Sequence, residues 1–148
     1  MSDIKNTVLA DIKACMKSGD KSRLSVLRLI SSAVKQREVD ERVETDDAAM
    51  LVILDKMAKQ RRESIEQFKA ADRNDLVDAE TTELEIISTY LPEQLAEDEI
   101  ATLIDQAVSE TGASSIRDMG KVMGILKPKL QGKADMSSVS SLVKSRLG

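Results

Sequence analysis

The chain has 148 residues, and its hydrophobic content of 41% is sufficient for a packed core, which excludes an intrinsically disordered protein. Histidine is absent, so imidazole acid–base catalysis, histidine-activated nucleophiles and histidine metal ligands are excluded. The formal net charge of −4 is unfavourable for binding a polyanion, except through a local patch of basic residues.

Helical periodicity dominates residues 1–91, where four amphipathic helices are predicted. Gly19 is expected to end the first helix, and Thr45 is expected to cap the third. Arg61 interrupts the apolar stripe of the third helix. The fourth helix is expected to end at Pro92, because the residue before a proline is disfavoured in the α region. The residues predicted to face the core of this part are Ile4, Val8, Ile12, Met16, Leu24, Leu27, Ile30, Val34, Met50, Leu54, Met57, Ile65, Phe68, Leu76, Leu84, Ile87 and Leu91.

Three further helices are predicted in residues 92–148. Gly112 is expected to end the first of these, and Ser115 with Asp118 forms a capping signature for the second. Pro128 is expected to end or kink that helix, and Asp135 is expected to cap the last one. No strand pattern is present. The predicted fold is therefore all-α, with a four-helix N-terminal domain (1–91) followed by a small three-helix C-terminal domain (92–148).

The compartment is inferred from what the sequence lacks. No apolar run approaches the roughly 18 residues that a membrane-spanning helix requires, and no secretory signal opens the sequence. Cys15 is the single cysteine, so an internal disulfide is impossible, and it is expected to be a small buried side chain. We therefore expect a cytoplasmic protein with no membrane partner.

Charge is unevenly distributed along the chain. Residues 72–111 contain one basic and twelve acidic residues, whereas residues 112–148 contain seven basic and two acidic residues. A basic C-terminal end on an acidic chain indicates a modular protein whose tail could meet an anionic partner.

Two glycines, Gly120 and Gly124, lie four residues apart in a predicted helix, where each costs roughly 1 kcal/mol relative to alanine. This cost indicates that another backbone approaches them closely, either the last helix of the same domain or a ribose-phosphate ligand. The lysines around them form either a phosphate-contacting surface or an ordinary solvated face. No aromatic residue is near, so base stacking is not expected. The candidate tRNA-binding residues are Gly120, Lys121, Gly124, Lys127, Lys129 and Lys133.

Other candidates for chemistry have simpler interpretations. Ser114 and Ser115 suggest an amidase nucleophile, but their position before a helix favours a cap. The basic cluster at Lys59–Arg62 has glutamates four residues further on, which favours a salt-bridged helix surface over a second part of the anionic site. No catalytic residues, metal site or cofactor is predicted.

Four motifs in order resemble the YqeY family: Lys21-Ser-Arg-Leu-Ser-Val-Leu-Arg28, Lys59-Gln-Arg-Arg-Glu-Ser-Ile-Glu66, Tyr90-Leu-Pro-Glu-Gln-Leu95 and the glycine-rich stretch from Thr111 to Gly124. The resemblance implies two helical domains and a relationship to the C-terminal tail found in the tRNA-dependent amidotransferase. That tail helps to hold the tRNA, while the carbon–nitrogen ligase chemistry, with glutamine as amide donor, belongs to other domains of the larger enzyme.

Three functions are compatible with these patterns. The first is a non-catalytic module that binds tRNA through its basic C-terminal domain. The second is a protein–protein adaptor without RNA affinity, which exposed methionines such as Met119, Met123 and Met136 would favour. The third is an amidotransferase, for which the sequence offers no phosphate-binding glycine loop, no cysteine pair for zinc and no amidase triad.

Overall fold

The computed structural model describes residues 3–148, and within that range it contains seven α-helices and no strand. The all-α prediction is confirmed. The helices are α1 (Asp3–Ser18), α2 (Lys21–Glu41), α3 (Asp47–Ala70), α4 (Asn74–Ser88), α5 (Glu97–Thr111), α6 (Met119–Leu130) and α7 (Met136–Leu147). A 3₁₀ turn, Ile116–Asp118, precedes α6. None of the described helices is both long and apolar enough to cross a lipid bilayer.

Residue contacts divide the chain into two compact units, one ending at Leu91 and the other beginning at Pro92. The first unit comprises α1–α4 and has an almost purely aliphatic core. Its contacts pair α3 with α4 and α1 with α2. The side chains with no exposed surface at its centre are Leu27, Ile30, Met50, Leu54, Ala58 and Ile87.

The start of α3 differs from the prediction. The helix is capped by Asp46, whose carboxylate accepts a hydrogen bond of 2.9 Å from the Ala49 N–H. Thr45, the predicted cap, is instead completely buried. Its N–H donates to Glu38 at 2.9 Å, and its hydroxyl accepts from Arg37 at 3.3 Å. The threonine therefore serves the contact with α2, and the neighbouring carboxylate takes the position at the positive end of the helix dipole.

Arg61 interrupts the apolar stripe of α3 because it faces two glutamates of α4. Its Nε lies 2.9 Å from the Glu83 carboxylate and 3.6 Å from that of Glu80. The Arg61 side chain is only 16% exposed, so these ion pairs lie at the edge of the α3–α4 contact. The basic cluster that contains Arg61 is thus partly committed to internal pairing.

The second unit packs α6 against both α5 and α7. Gly112 ends α5 in the left-handed conformation (φ 65°), as predicted, and the Asp135 carboxylate caps α7 by accepting from the Ser137 N–H. The predicted capping pair of Ser115 and Asp118 before α6 does not form. Asp118 accepts from the Ser114 N–H at 3.1 Å, but the Ser115 side chain makes no capping bond. The side chains buried in this core include Ile104, Ala107, Val122, Leu126, Leu130, Val139 and Val143.

Tyr90 fixes the end of the first unit. Its hydroxyl donates to Asp11 at 2.5 Å and accepts from Arg23 at 3.2 Å. Burial and the bond to Asp11 both disfavour the phenolate, and together they raise the pKa of Tyr90 to about 12, while Arg23 acts in the opposite direction.

Tyr90 is the single tyrosine, and the chain has no tryptophan, so its ionisation can be followed directly by phenolate absorbance. We expect a midpoint near pH 12 in the folded protein, and near pH 10 in concentrated urea. Because the folded pKa is the higher one, the stability contributed by Tyr90 is complete below pH 10 and is lost as the pH rises towards 12. A folded-state midpoint near 10 would show that Tyr90 is solvated and that these bonds do not persist.

Candidate nucleic-acid interface

The two faces of α6 have opposite character. Val122, Leu126 and Leu130 have no exposed surface and hold the helix in the second core. An α-helix advances by about 100° per residue, so Gly120 and Gly124 must lie on the side away from these anchors. Both glycines are exposed. The buried stripe therefore sets the rotation of α6 and presents its glycine side outwards.

The surroundings of the two glycines exclude packing against the last helix as the reason for their presence. A Cβ atom built at either Gly120 or Gly124 would meet no heavy atom within 4 Å among the described residues. The last helix, α7, therefore does not pack against them, and internal packing gives no reason for their presence. Neither has a positive φ, so backbone conformation does not require glycine there.

Two candidate lysines share the glycine face. By helical geometry Lys127, Gly120, Gly124 and Lys121 fall in that angular order within an arc of about 120°. The lysines thus flank a strip formed by the two glycines, and the exposed Pro128 falls between Gly124 and Lys121. Both are exposed, and neither pairs with a carboxylate within residues 3–148, whereas Arg146 of α7 bonds to Asp105 at 3.0 Å. The strip and its flanking lysines, residues 120, 121, 124 and 127, are called the α6 face below.

Lys129 and Lys133 lie elsewhere. Lys129 is displaced by about half a turn from Gly120 around the helix axis. Lys133 follows α6, and it lines a groove between α5 and α7 together with Glu97, Asp98 and Asp135. Both side chains are exposed and have no carboxylate partner in the part of the chain that the structure describes. The six predicted residues therefore form a group of four and two outlying lysines.

Two residues of this region were missed from the sequence as site components. Arg117 is exposed in the 3₁₀ turn before α6 and adds a cation close to Gly120. Pro128 neither ends α6, which continues to Leu130, nor faces the core. It lies four residues after Gly124 on the exposed side. The Gly-to-Pro spacing of four is the signal that could have found it.

The other candidate residues from the sequence are less available to a ligand. In the second basic cluster, Arg61 is held by α4 and Lys59 also has a polar partner. The methionines that would have favoured an adaptor, Met119, Met123 and Met136, are partly buried and pack against the second core. No cluster of three or more possible metal ligands occurs among residues 3–148.

The chain is an all-α protein whose second unit exposes a helix with two glycines between lysines. A family model described as Yqey-like protein matches residues 5–147, and the chain belongs to this family. The resemblance identified from the four motifs is confirmed.

Curated relatives share this similarity over different lengths. The "Altered inheritance of mitochondria protein 41, mitochondrial" of Pyrenophora tritici-repentis is 31% identical over 142 residues, covering 94% of this chain and 78% of the relative. The protein of the same name from Lachancea thermotolerans is 37% identical over 82 residues, covering 55% of this chain and 44% of the relative. An uncharacterized protein of Schizosaccharomyces pombe is 33% identical over 78 residues, covering 53% and 63%. The match thus spans most of the first relative and about half to two thirds of the others.

The names of these relatives correct one prediction. The expectation of a cytoplasmic protein is contradicted by the names of the Pyrenophora tritici-repentis and Lachancea thermotolerans relatives, which are called mitochondrial proteins. That expectation rested on the lack of a secretory signal, and this criterion does not distinguish between compartments inside the cell.

The open space around Gly124 predicts a stabilising substitution. Gly124→Ala adds a methyl group that meets nothing and improves helix propensity, so unfolding should become less favourable by about 1 kcal/mol. Gly120→Ala should stabilise less, because Gly120 lies in the first turn of α6. Thermal and urea unfolding of both variants would measure this effect. A loss of stability in Gly124→Ala would mean that the glycine has an internal packing role after all.

Proposed function

We propose that this protein is a non-catalytic helical module that binds tRNA, and that the α6 face contacts the sugar-phosphate backbone. The observation that carries the proposal is the combination of two exposed glycines with no internal neighbour and two flanking lysines with no carboxylate partner among the described residues. Glycines allow close approach of another backbone, and free lysines supply the charge that a phosphate chain attracts.

We further propose that the two compact units act as separate domains, a four-helix domain over residues 1–91 and a three-helix domain over residues 92–148, and that the second provides the RNA contact. The resemblance of the sequence motifs to the amidotransferase tail supports this division of roles. The carbon–nitrogen ligase activity of that enzyme is assigned to its other domains.

Charge within the second unit would restrict how RNA docks. The first turn of α5 carries Glu97, Asp98 and Glu99, whereas the basic side chains lie on and after the turn that begins α6. At physiological ionic strength the Debye length is about 8 Å, so a local basic surface acts even on a chain with net negative charge. The acidic helix would repel RNA from the α5 side, and the α6 face would remain available.

The mode of recognition follows from composition. The only aromatic residues, Phe68 and Tyr90, are both in the first unit. The second unit therefore has no side chain on which a base can stack. Binding would depend on phosphate charge and on the shape of a folded RNA, which is the common mode for double-stranded regions.

A protein–protein adaptor without RNA affinity is the alternative function. The observation that favours it is a set of exposed aliphatic side chains in the first unit, of which Val39 is 73% and Val52 52% exposed. Val52 forms part of the lining of a groove between α2 and α3. The partly buried methionines of the second unit give it no further support.

Charge reversal on the α6 face should weaken tRNA binding. We expect Lys121→Glu/Lys127→Glu to lose more than about tenfold in affinity for bulk tRNA, because two phosphate contacts become repulsive. Fluorescence anisotropy with labelled tRNA at low and physiological salt would measure this. For the unaltered protein, affinity should fall steeply as salt rises, with a smaller dependence in the variant.

The matched control is Lys13→Glu/Lys17→Glu. These lysines of α1 are also exposed, Lys17 lies in the last turn of its helix as Lys127 does, and the net charge changes equally. Equal losses in both variants would show that only overall charge matters and would contradict the assigned face. Undiminished binding by the Lys121/Lys127 variant would contradict the proposed interface, and no binding by the unaltered protein at low salt would favour the adaptor.

A further inference from the structure

We propose that the backbone carbonyl of Gly124 accepts a hydrogen bond from a ribose 2′-hydroxyl, so that the α6 face distinguishes RNA from nucleic acids that lack this group. The inference rests on the proposed function and adds to it a determinant of specificity. It depends on one feature of α6, the proline inside the helix.

Pro128 alters the hydrogen bonding of α6 at one point. In an α-helix the carbonyl of residue i accepts from the N–H of residue i+4, and proline has no N–H. The carbonyl of Gly124 therefore does not receive its usual bond, although the helix continues past Pro128 to Leu130. A backbone carbonyl is a strong acceptor that needs a partner from solvent or from a ligand.

The position of this acceptor suits an external donor. Gly124 and Pro128 are both exposed, and Gly124 has no side chain to cover the helix surface beside it. A Cβ atom added at Gly124 would have no neighbour within 4 Å among the described residues. The carbonyl points towards the C-terminus and lies beside the exposed Pro128 ring, so a donor would reach it from the solvent side of that ring. The missing side chain at Gly124 opens the helix surface on the N-terminal side of this acceptor.

The flanking lysines select the class of ligand that presents the donor. Lys121 and Lys127 lie on either side of the glycine strip and favour phosphates there. Within a chain, a sugar-phosphate backbone offers phosphate and ring oxygens as acceptors, and its only donor is the 2′-hydroxyl. A carbonyl placed between two lysines therefore complements a ribose between phosphates, and it has no donor to receive from deoxyribose.

The test uses the full chain and an RNA stem-loop, compared with a 2′-fluoro stem-loop of the same sequence. The fluoro form keeps the A-form helix and every phosphate but cannot donate. A neutral hydrogen bond contributes little net affinity, so we expect the unaltered protein to bind RNA about three- to tenfold more tightly. Anisotropy titrations at one fixed salt concentration would measure both affinities.

Pro128→Ala is the decisive variant, because it restores an N–H to the Gly124 carbonyl without altering charge. We expect its RNA affinity to fall to the level of the 2′-fluoro ligand, while its affinity for the 2′-fluoro ligand and its salt dependence stay unchanged. Alanine favours the helix, so the fold should be retained. Pro92→Ala, which replaces the other proline outside α6, should preserve the difference between the two ligands.

Each result separates this inference from the proposed function. Equal affinity of the unaltered protein for both ligands, with sensitivity to Lys121→Glu/Lys127→Glu, would overturn the role of the carbonyl and leave the RNA-binding surface in place. An RNA preference that persists in Pro128→Ala would also overturn it, because another acceptor would then be responsible. If neither ligand bound, the proposed function and this inference would both be wrong.

Discussion

The buried stripe of α6 is the constraint on which the candidate site depends. Val122, Leu126 and Leu130 are completely excluded from solvent, and burial of each such side chain contributes roughly 1.5–3 kcal/mol. Rotating α6 to hide its glycines would expose these anchors. The core therefore determines that Gly120 and Gly124 face outwards, although neither glycine contributes to the packing.

Local stability and proposed function oppose each other on this helix. Gly124 lowers helix propensity, and Pro128 removes one helical hydrogen bond. Both residues lie on the exposed side, where neither is required by the core. Costs of this kind without structural compensation are typical of binding surfaces. For the proposed RNA ligand, the lysines on either side would attract phosphates, and the lack of aromatic residues in the second unit would limit recognition to backbone and shape.

Helical periodicity and strong local capping signals were sufficient to predict most of the secondary structure. The apolar stripes identified the seven helices, and Gly19, Gly112 and Asp135 marked their ends correctly. Contacts between distant residues were not accessible in this way. The buried Thr45 forms hydrogen bonds with Glu38 and Arg37 of α2. Arg61 can interrupt the apolar stripe of α3 because it forms ion pairs with Glu80 and Glu83 of α4. Sequence spacing alone could not decide between Asp46 and Thr45 as the cap, since both residue types cap helices.

The candidate site was predictable in composition but not in arrangement. The spacing of four placed Gly120 and Gly124 on one face of a helix, whereas the separation of Lys133 depends on the loop after α6 and on the groove it lines. The glycine environment required coordinates, because the same spacing fits both a packed helix pair and an open surface. The compartment could not be derived from the residue patterns and was corrected by the relatives.

In the proposed interface the α6 face contacts RNA, and no surface of the first unit does. Amide chemical shifts of isotope-labelled protein, recorded during titration with tRNA, would locate the contact residue by residue. We expect shifts at Gly120, Lys121, Gly124 and Lys127, with the amide of Gly19 in the first unit unaffected. Shifts confined to α1–α4, or spread evenly over both units, would contradict this interface.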